Sequence, residues 1–207
     1  MKRIRDAEIV GEIRNRFPVG FRGYALEIGA ADGSYLSNTS DLENLGWDVL
    51  CIEPNPDYYA TLKERRKITL NVACAAKSKN YQDLLVYRRK GRTDGDPISA
   101  LGGLTPAFVE KFCPEVGAPE TIKVNVRTLD WCLEEVKFPR LDVLSLDVDG
   151  IEMEILKGFD LDRWQLKAAA VENAFKGQPL RRYFLSRGFE LVAETHVNDI
   201  WVRMESA

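Results

Sequence analysis

Histidine is nearly absent from this chain: His196 is the only one among 207 residues. Cysteine is sparse as well. Cys51, Cys74, Cys113 and Cys132 stand 23, 39 and 19 residues apart, and none forms a Cys-x-x-Cys pair. That pattern argues against a zinc site or a disulfide framework and for buried free thiols in a reducing, cytoplasmic setting. No apolar run approaches the ~20 residues that a membrane span needs, and the charged first 16 residues lack the apolar stretch of a signal peptide. An excess of positive charge is also missing. Lysine and arginine number 29 against 32 aspartates and glutamates, a net charge of -3, which offers no footprint for non-specific nucleic-acid binding. Finally, the chain has no Gly-x-Gly-x-x-Gly, the fingerprint whose bare backbone reaches a dinucleotide pyrophosphate.

What is present suits one domain spanning residues 1–207, with 45% hydrophobic and 29% charged residues. Ile9, Val10, Ile13 and Phe17 share one face of a helix expected over 6–17, which Pro18 stops. Short, nearly continuous apolar runs follow at 24–28, 48–52 and 68–73, and again at 141–146 and 168–171. Parallel strands covered on both faces read this way. Helical segments alternate with them. One polar stretch ends near Gly46, one starts at Asn55-Pro56, one runs from Ile151 to Gly158, and one covers 179–187. Residues 189–194 and 200–203 flank His196-Val197-Asn198 as a β-hairpin. The expected fold is α/β: a doubly wound, mostly parallel seven-stranded sheet with a C-terminal antiparallel hairpin. Residues 88–120 differ in kind. They hold 5 of the 15 glycines and 4 of the 9 prolines, with one short helix from Thr105-Pro106 to Phe112, and read as a lid or substrate-binding insertion.

Glu27-Ile28-Gly29-Ala30-Ala31-Asp32-Gly33 stands where the first core strand turns towards the first crossover, at the carboxyl end where open α/β sheets bind ligands. Glycine at 29 and 33 permits a tight turn and close approach of the main chain to a ligand. Glu53 ends the second strand, 20 residues after Gly33. A carboxylate in that place can accept hydrogen bonds from both hydroxyls of a ribose.

The combination resembles class I S-adenosylmethionine-dependent methyltransferases, with their Rossmann-like fold, and within them the FkbM-type group. Four blocks carry the resemblance: residues 26–33, Ile52-Glu53-Pro54-Asn55-Pro56, Val126-Arg127-Thr128-Leu129-Asp130, and Leu146-Asp147-Val148-Asp149-Gly150-Ile151-Glu152 with its continuation to Gly158. Asp149 replaces the group's usual glutamate before glycine, which shortens its reach by one methylene. The resemblance implies S-adenosylmethionine as methyl donor. Glu27 and the turn of Gly29, Ala30, Ala31, Asp32 and Gly33 would then hold its methionine end. Glu53, with Pro54 and Asn55, would take the ribose, and Ala73 and Cys74 would lie beside the adenine. It further implies methylation of an oxygen on a small-molecule or glycan acceptor, a saccharide or a secondary metabolite.

A hydroxyl is a poor nucleophile at neutral pH, so a base or a metal must activate it. Asp147 ends the fourth core strand and Glu172-Asn173 the fifth, and adjacent parallel strands would bring them to one crevice. Two carboxylates and an amide oxygen suit Mg2+, and the pattern is similar to the metal site of catechol-type O-methyltransferases. Without a metal, Asp147, Asp149 or His196 is the expected base. The basic runs Arg65-Arg66-Lys67 and Arg88-Arg89-Lys90 read as solvated faces. N-methylation of a small molecule or nucleic acid, and a catalytically silent methyltransferase-like binding module, remain open beside O-methylation.

Overall fold

The structure, a computed structural model, describes residues 2–88, 100–102 and 106–204. After the edge strand β1 (Lys2–Arg3) come a 3-10 turn at 6–8 and helix α1 (Ile9–Arg14), then β2 (Tyr24–Ile28), α2 (Ser40–Asn44), β3 (Asp48–Ile52), α3 (Pro56–Arg65) and β4 (Ile68–Leu70). A second group follows: β5 (Ala73–Cys74), β6 (Lys79–Arg88), β7 (Ala100–Gly102), α4 (Pro106–Phe112) and β8 (Glu120–Arg127). The chain closes with α5 (Leu129–Glu135), β9 (Val143–Leu146), α6 (Glu152–Leu156), β10 (Ala168–Glu172), α7 (Gln178–Leu185), β11 (Phe189–Glu194) and β12 (Asn198–Arg203).

The main sheet runs β1-β11-β12-β10-β9-β2-β3-β4. Strands β4, β3, β2, β9 and β10 are parallel, and β12 enters antiparallel between β10 and β11 as the expected hairpin. The count is eight instead of seven, because Lys2–Arg3 adds a short strand beside β11. Strand alternation sorts the core into two layers. Leu26, Ile28, Leu50, Ile52, Leu144 and Leu146 face α5, α6 and α7, whereas Ala25, Val49, Cys51, Val143 and Ala170 face α1, α2 and α3. Helix α3 begins as its sequence dictates: the Asn55 side chain accepts the Asp57 N–H at 3.0 Å, with Pro56 in the first turn.

Three expectations need correction. The first crossover is helical only from Ser40 to Asn44, because side chains take the N–H groups that a helix would use: Asp32 accepts those of Ser34 and Tyr35, and Glu27 that of Asn38. The run at 68–73 splits, with Ile68–Leu70 in the main sheet and Ala73–Cys74 in a second one. That second sheet, ordered β5-β8-β6-β7, was not foreseen. Its long antiparallel pair buries Leu84, Val86, Val124 and Val126 and forms the base of the insertion. Helix α4 ends at Phe112 as expected; its proposed cap Thr105, like 89–99, lies outside the described residues.

Candidate active site

The carboxyl ends of β2, β3, β9 and β10 converge on one crevice, and the turn after β2 forms its floor. Gly29 has φ +81°, and a Cβ there would meet the Asp147 carbonyl oxygen at 1.9 Å. Only glycine lets this turn lie against the end of β9. The Gly29 and Ala30 N–H groups both donate to the Ile52 carbonyl at 3.1 Å, tying the turn to β3 as well. Ala31 and Gly33 also have positive φ, +46° and +82°, so the chain reverses within five residues.

Glu53 closes that reversal. Its carboxyl is buried, with one oxygen accepting the Ala31 N–H at 2.9 Å and the other the Asn55 N–H at 2.8 Å. Burial pushes its pKa up to about 7, although both N–H groups pull the other way. Each oxygen keeps a lone pair for a further donor. Nearby, the Asn55 Nδ2 group is buried with no hydrogen-bond partner among the described residues. Beyond Pro54 opens an apolar cavity lined by Ile28, Val72, Ala73, Cys74, Leu84 and Val148.

Glu27 is also buried, but its carboxylate is committed. It accepts from Ser37 Oγ (2.8 Å), the Asn38 N–H (2.8 Å) and Thr39 Oγ1 (2.6 Å), and pairs with Arg66 at 3.2 Å. Glu27 is therefore engaged in holding the 33–39 loop. Asp32 stabilises the near side of the loop. Burial raises its pKa, yet the Tyr35 and Ser34 N–H groups and the Arg65 guanidinium outweigh burial and hold it below the ordinary value.

Across the crevice, carboxyl oxygens of Asp147, Asp149 and Glu172 all lie within 4.8 Å of one another. Asp149 has φ +58°, which turns its backbone N–H onto Glu172 Oε2 at 2.9 Å. Burial comes first, then the neighbouring acid Glu152, in raising the pKa of Asp147; burial and Asp147 itself do the same to Glu172. Crowding of acids in this way favours the protonated form of Asp147 and Glu172.

The other two expected site residues are Asn173 and His196. The Asn173 amide faces the next helix: its oxygen accepts the Gly177 N–H at 2.7 Å and its nitrogen donates to Asp199 at 2.7 Å. Asp149 joins Asp147 and Glu172 as a third oxygen group, and Asn173 lines a cavity together with Glu172. His196 is exposed in the hairpin turn and is not among the acids that cluster.

These features coincide with a known domain. The profile of the Methyltransferase FkbM domain matches residues 27–191, from the acid of the first turn to the hairpin. The chain belongs to the FkbM methyltransferase family. A crystal structure of methyltransferase FkbM from Methylobacillus flagellatus KT superposes with a TM-score of 0.57 at 13% identity, over 97% of this chain and 48% of that one. The chain thus spans about half the length of that relative. The delta-N METTL16 MTase domain superposes with a TM-score of 0.50 at 8% identity, over 97% of this chain and 82% of that one. At such identities the likeness is one of fold, and it establishes the Rossmann-like methyltransferase architecture. No curated protein sequence matches the chain.

Within this FkbM domain, sequence reasoning missed Arg66. Its guanidinium is buried between Glu43 (2.7 Å) and Glu27 (3.2 Å) and also donates to the Gly33 carbonyl, Ser37 and Thr39. Arg65 pairs with Asp32 and Ser34. The basic run is thus half a clamp on the 32–39 loop, not a solvated face. The one available signal was Glu27, an acid within an apolar strand, which demanded a partner.

Proposed function

We propose that this domain binds S-adenosylmethionine and transfers its methyl group to an oxygen, a hydroxyl of a saccharide or secondary-metabolite acceptor. The observation that carries the reading is Glu53: a buried carboxyl that accepts one N–H on each oxygen, next in the chain to Pro54 in the lining of an apolar cavity. A ribose offers two adjacent hydroxyl donors to such a group, and an adenine fits the apolar wall of Ile28, Val72, Ala73 and Cys74. The orphaned Asn55 amide provides a further donor. The turn of Gly29, Ala30, Ala31, Asp32 and Gly33 would carry the methionine end, with Glu27 and Arg66 holding that loop in place.

Bound there, the donor supplies a sulfonium methyl, which leaves as the sulfur–carbon bond breaks and a carbon–oxygen bond forms. What the chain must add is removal of the acceptor's proton. Asp147 is the residue for this role, because Gly29 packs directly on its backbone and so sets it beside the donor end. Asp149 and Glu172 share the cluster and would either relay that proton or, with Asp147, hold Mg2+ against the hydroxyl oxygen. The all-oxygen character of the three groups supports the metal alternative.

Glu53→Ala tests the reading. Charge-assisted hydrogen bonds contribute roughly 1.5–3 kcal/mol each, so S-adenosylhomocysteine affinity measured by calorimetry should fall about tenfold or more. Equal affinity in the variant would remove Glu53 from the ribose site.

A further inference from the structure

Phe175 is the one exposed residue among nine phenylalanines, with 44% of its surface open to solvent. It does not sit on a loose loop. Asn173 N–H donates to the Val197 carbonyl at 2.6 Å, Lys176 N–H to the Asn173 carbonyl at 2.7 Å, and Gly177 N–H to the Asn173 side chain. Lys176 Nζ reaches across to the Thr195 carbonyl at 3.1 Å. The tip between β10 and α7 is therefore pinned on both sides of Phe175.

Helix α4 of the insertion then fixes the ring itself. Phe112 meets it at a centroid distance of 5.5 Å and an angle of 71°, and Phe108 at 6.2 Å and 76°, the T-shaped geometry that aromatic pairs favour. Lys111 Nζ lies 4.9 Å from the centroids of both Phe112 and Phe175. An exposed ring held this firmly is poised for a ligand, because little side-chain freedom is left to lose on binding. Phe175 also lines a cavity together with Gly150, Glu152, Met153 and Glu172. One wall of that cavity is thus aromatic and another carries carboxyl groups, one of which, Glu172, belongs to the acid cluster of the proposed reaction.

We propose that Phe175 is the acceptor platform of this domain and that the cavity takes a pyranose ring. A pyranose has an apolar C–H face and a belt of hydroxyls at its edge. The face would lie on Phe175 while edge hydroxyls meet Glu172 and Glu152. The inference rests on the methyl-transfer reading for its meaning, since the same placement carries a ring hydroxyl towards Asp147. It also gives the insertion a job: α4 sets the angle of the platform through Phe108 and Phe112.

Saturation-transfer NMR on the full chain tests this without any turnover, with methyl glycosides of glucose, rhamnose and fucose as probes and S-adenosylhomocysteine present. Ring-proton signals are expected from at least one glycoside. Phe175→Ala should reduce them about fivefold, the loss expected for one aromatic face, and Phe175→Trp should retain them. Affinity for S-adenosylhomocysteine should be the same in all three proteins. Signals that survive Phe175→Ala, or an absence of signal from every glycoside, overturn the platform. Signals from simple phenols but not from glycosides also overturn it and assign the cavity to aromatic acceptors. If the unmodified protein fails to bind S-adenosylhomocysteine, the donor reading falls instead, and the glycoside signals then decide the platform separately.

Discussion

Glu53 shows how one buried side chain can pull stability and binding in opposite directions. Its pKa is raised by burial to about 7, so between about 4.5 and 7 the folded chain holds a proton that the unfolded chain has lost. The stabilising contribution is fully present below that window and disappears as pH rises through the folded value. Under the proposed reading, ribose hydroxyls would donate to the carboxylate and favour the opposite, ionised form. S-adenosylhomocysteine binding should therefore tighten about tenfold between pH 6 and pH 8, with release of a proton near neutrality. Calorimetry in buffers of different ionisation enthalpy would read that proton. Glu53→Gln should flatten the profile, and a profile that stays steep in the variant assigns the titration to another group. The residue also shows what is legible locally. A carboxylate at the end of the second strand, in phase with a glycine turn, is a one-dimensional signal.

Elements decide the fate of the 33–39 loop. It belongs to no helix or strand, yet Arg66, just past the end of α3, anchors it to Glu27 on β2 and Glu43 on α2. Removing the guanidinium would strand two acids that are more than 90% buried. Breaking a buried pair from one side typically costs about 3–5 kcal/mol. Arg66→Ala should lose stability of that order in urea unfolding, and Arg66→Lys should recover part of it. A loss below about 1 kcal/mol would mean that the loop relaxes to hydrate both acids. None of this could be read from Arg65-Arg66-Lys67, since three adjacent cations look solvated until the end of a neighbouring strand supplies their partners. The same holds for Phe175, whose orientation depends on α4 packing onto a loop more than 60 residues further along the chain.

At the scale of the molecule, the acid cluster is a product of strand order. Asp147 and Glu172 meet because β9 and β10 are neighbours in register, with Leu146 opposite Val171. Whether three adjacent carboxyls work by sharing a proton or by holding a cation is open to one measurement. With Mg2+ as a participant, labelled methyl transfer should stop on addition of EDTA and return with excess Mg2+. Activity indifferent to chelation would leave Asp147 as the base. Either outcome bears on Asp147, Asp149 and Glu172, whose carboxyl oxygens lie within 4.8 Å of one another.

The order of strands and crossovers, the turn at Gly29, the acid at Glu53 and the cap at Asn55 were set by sequence alone. Each depends on a short stretch of chain whose periodicity or backbone demand admits few conformations. The second sheet, the burial of Arg66, the meeting of Asp149 with Asp147 and Glu172, and the aromatic surroundings of Phe175 were decided only by tertiary structure. Each of these depends on which distant side chain fills a buried hydrogen-bonding position or covers an apolar face. Local spacing carries no record of that choice, because it is made by the free energy of satisfying every buried group at once.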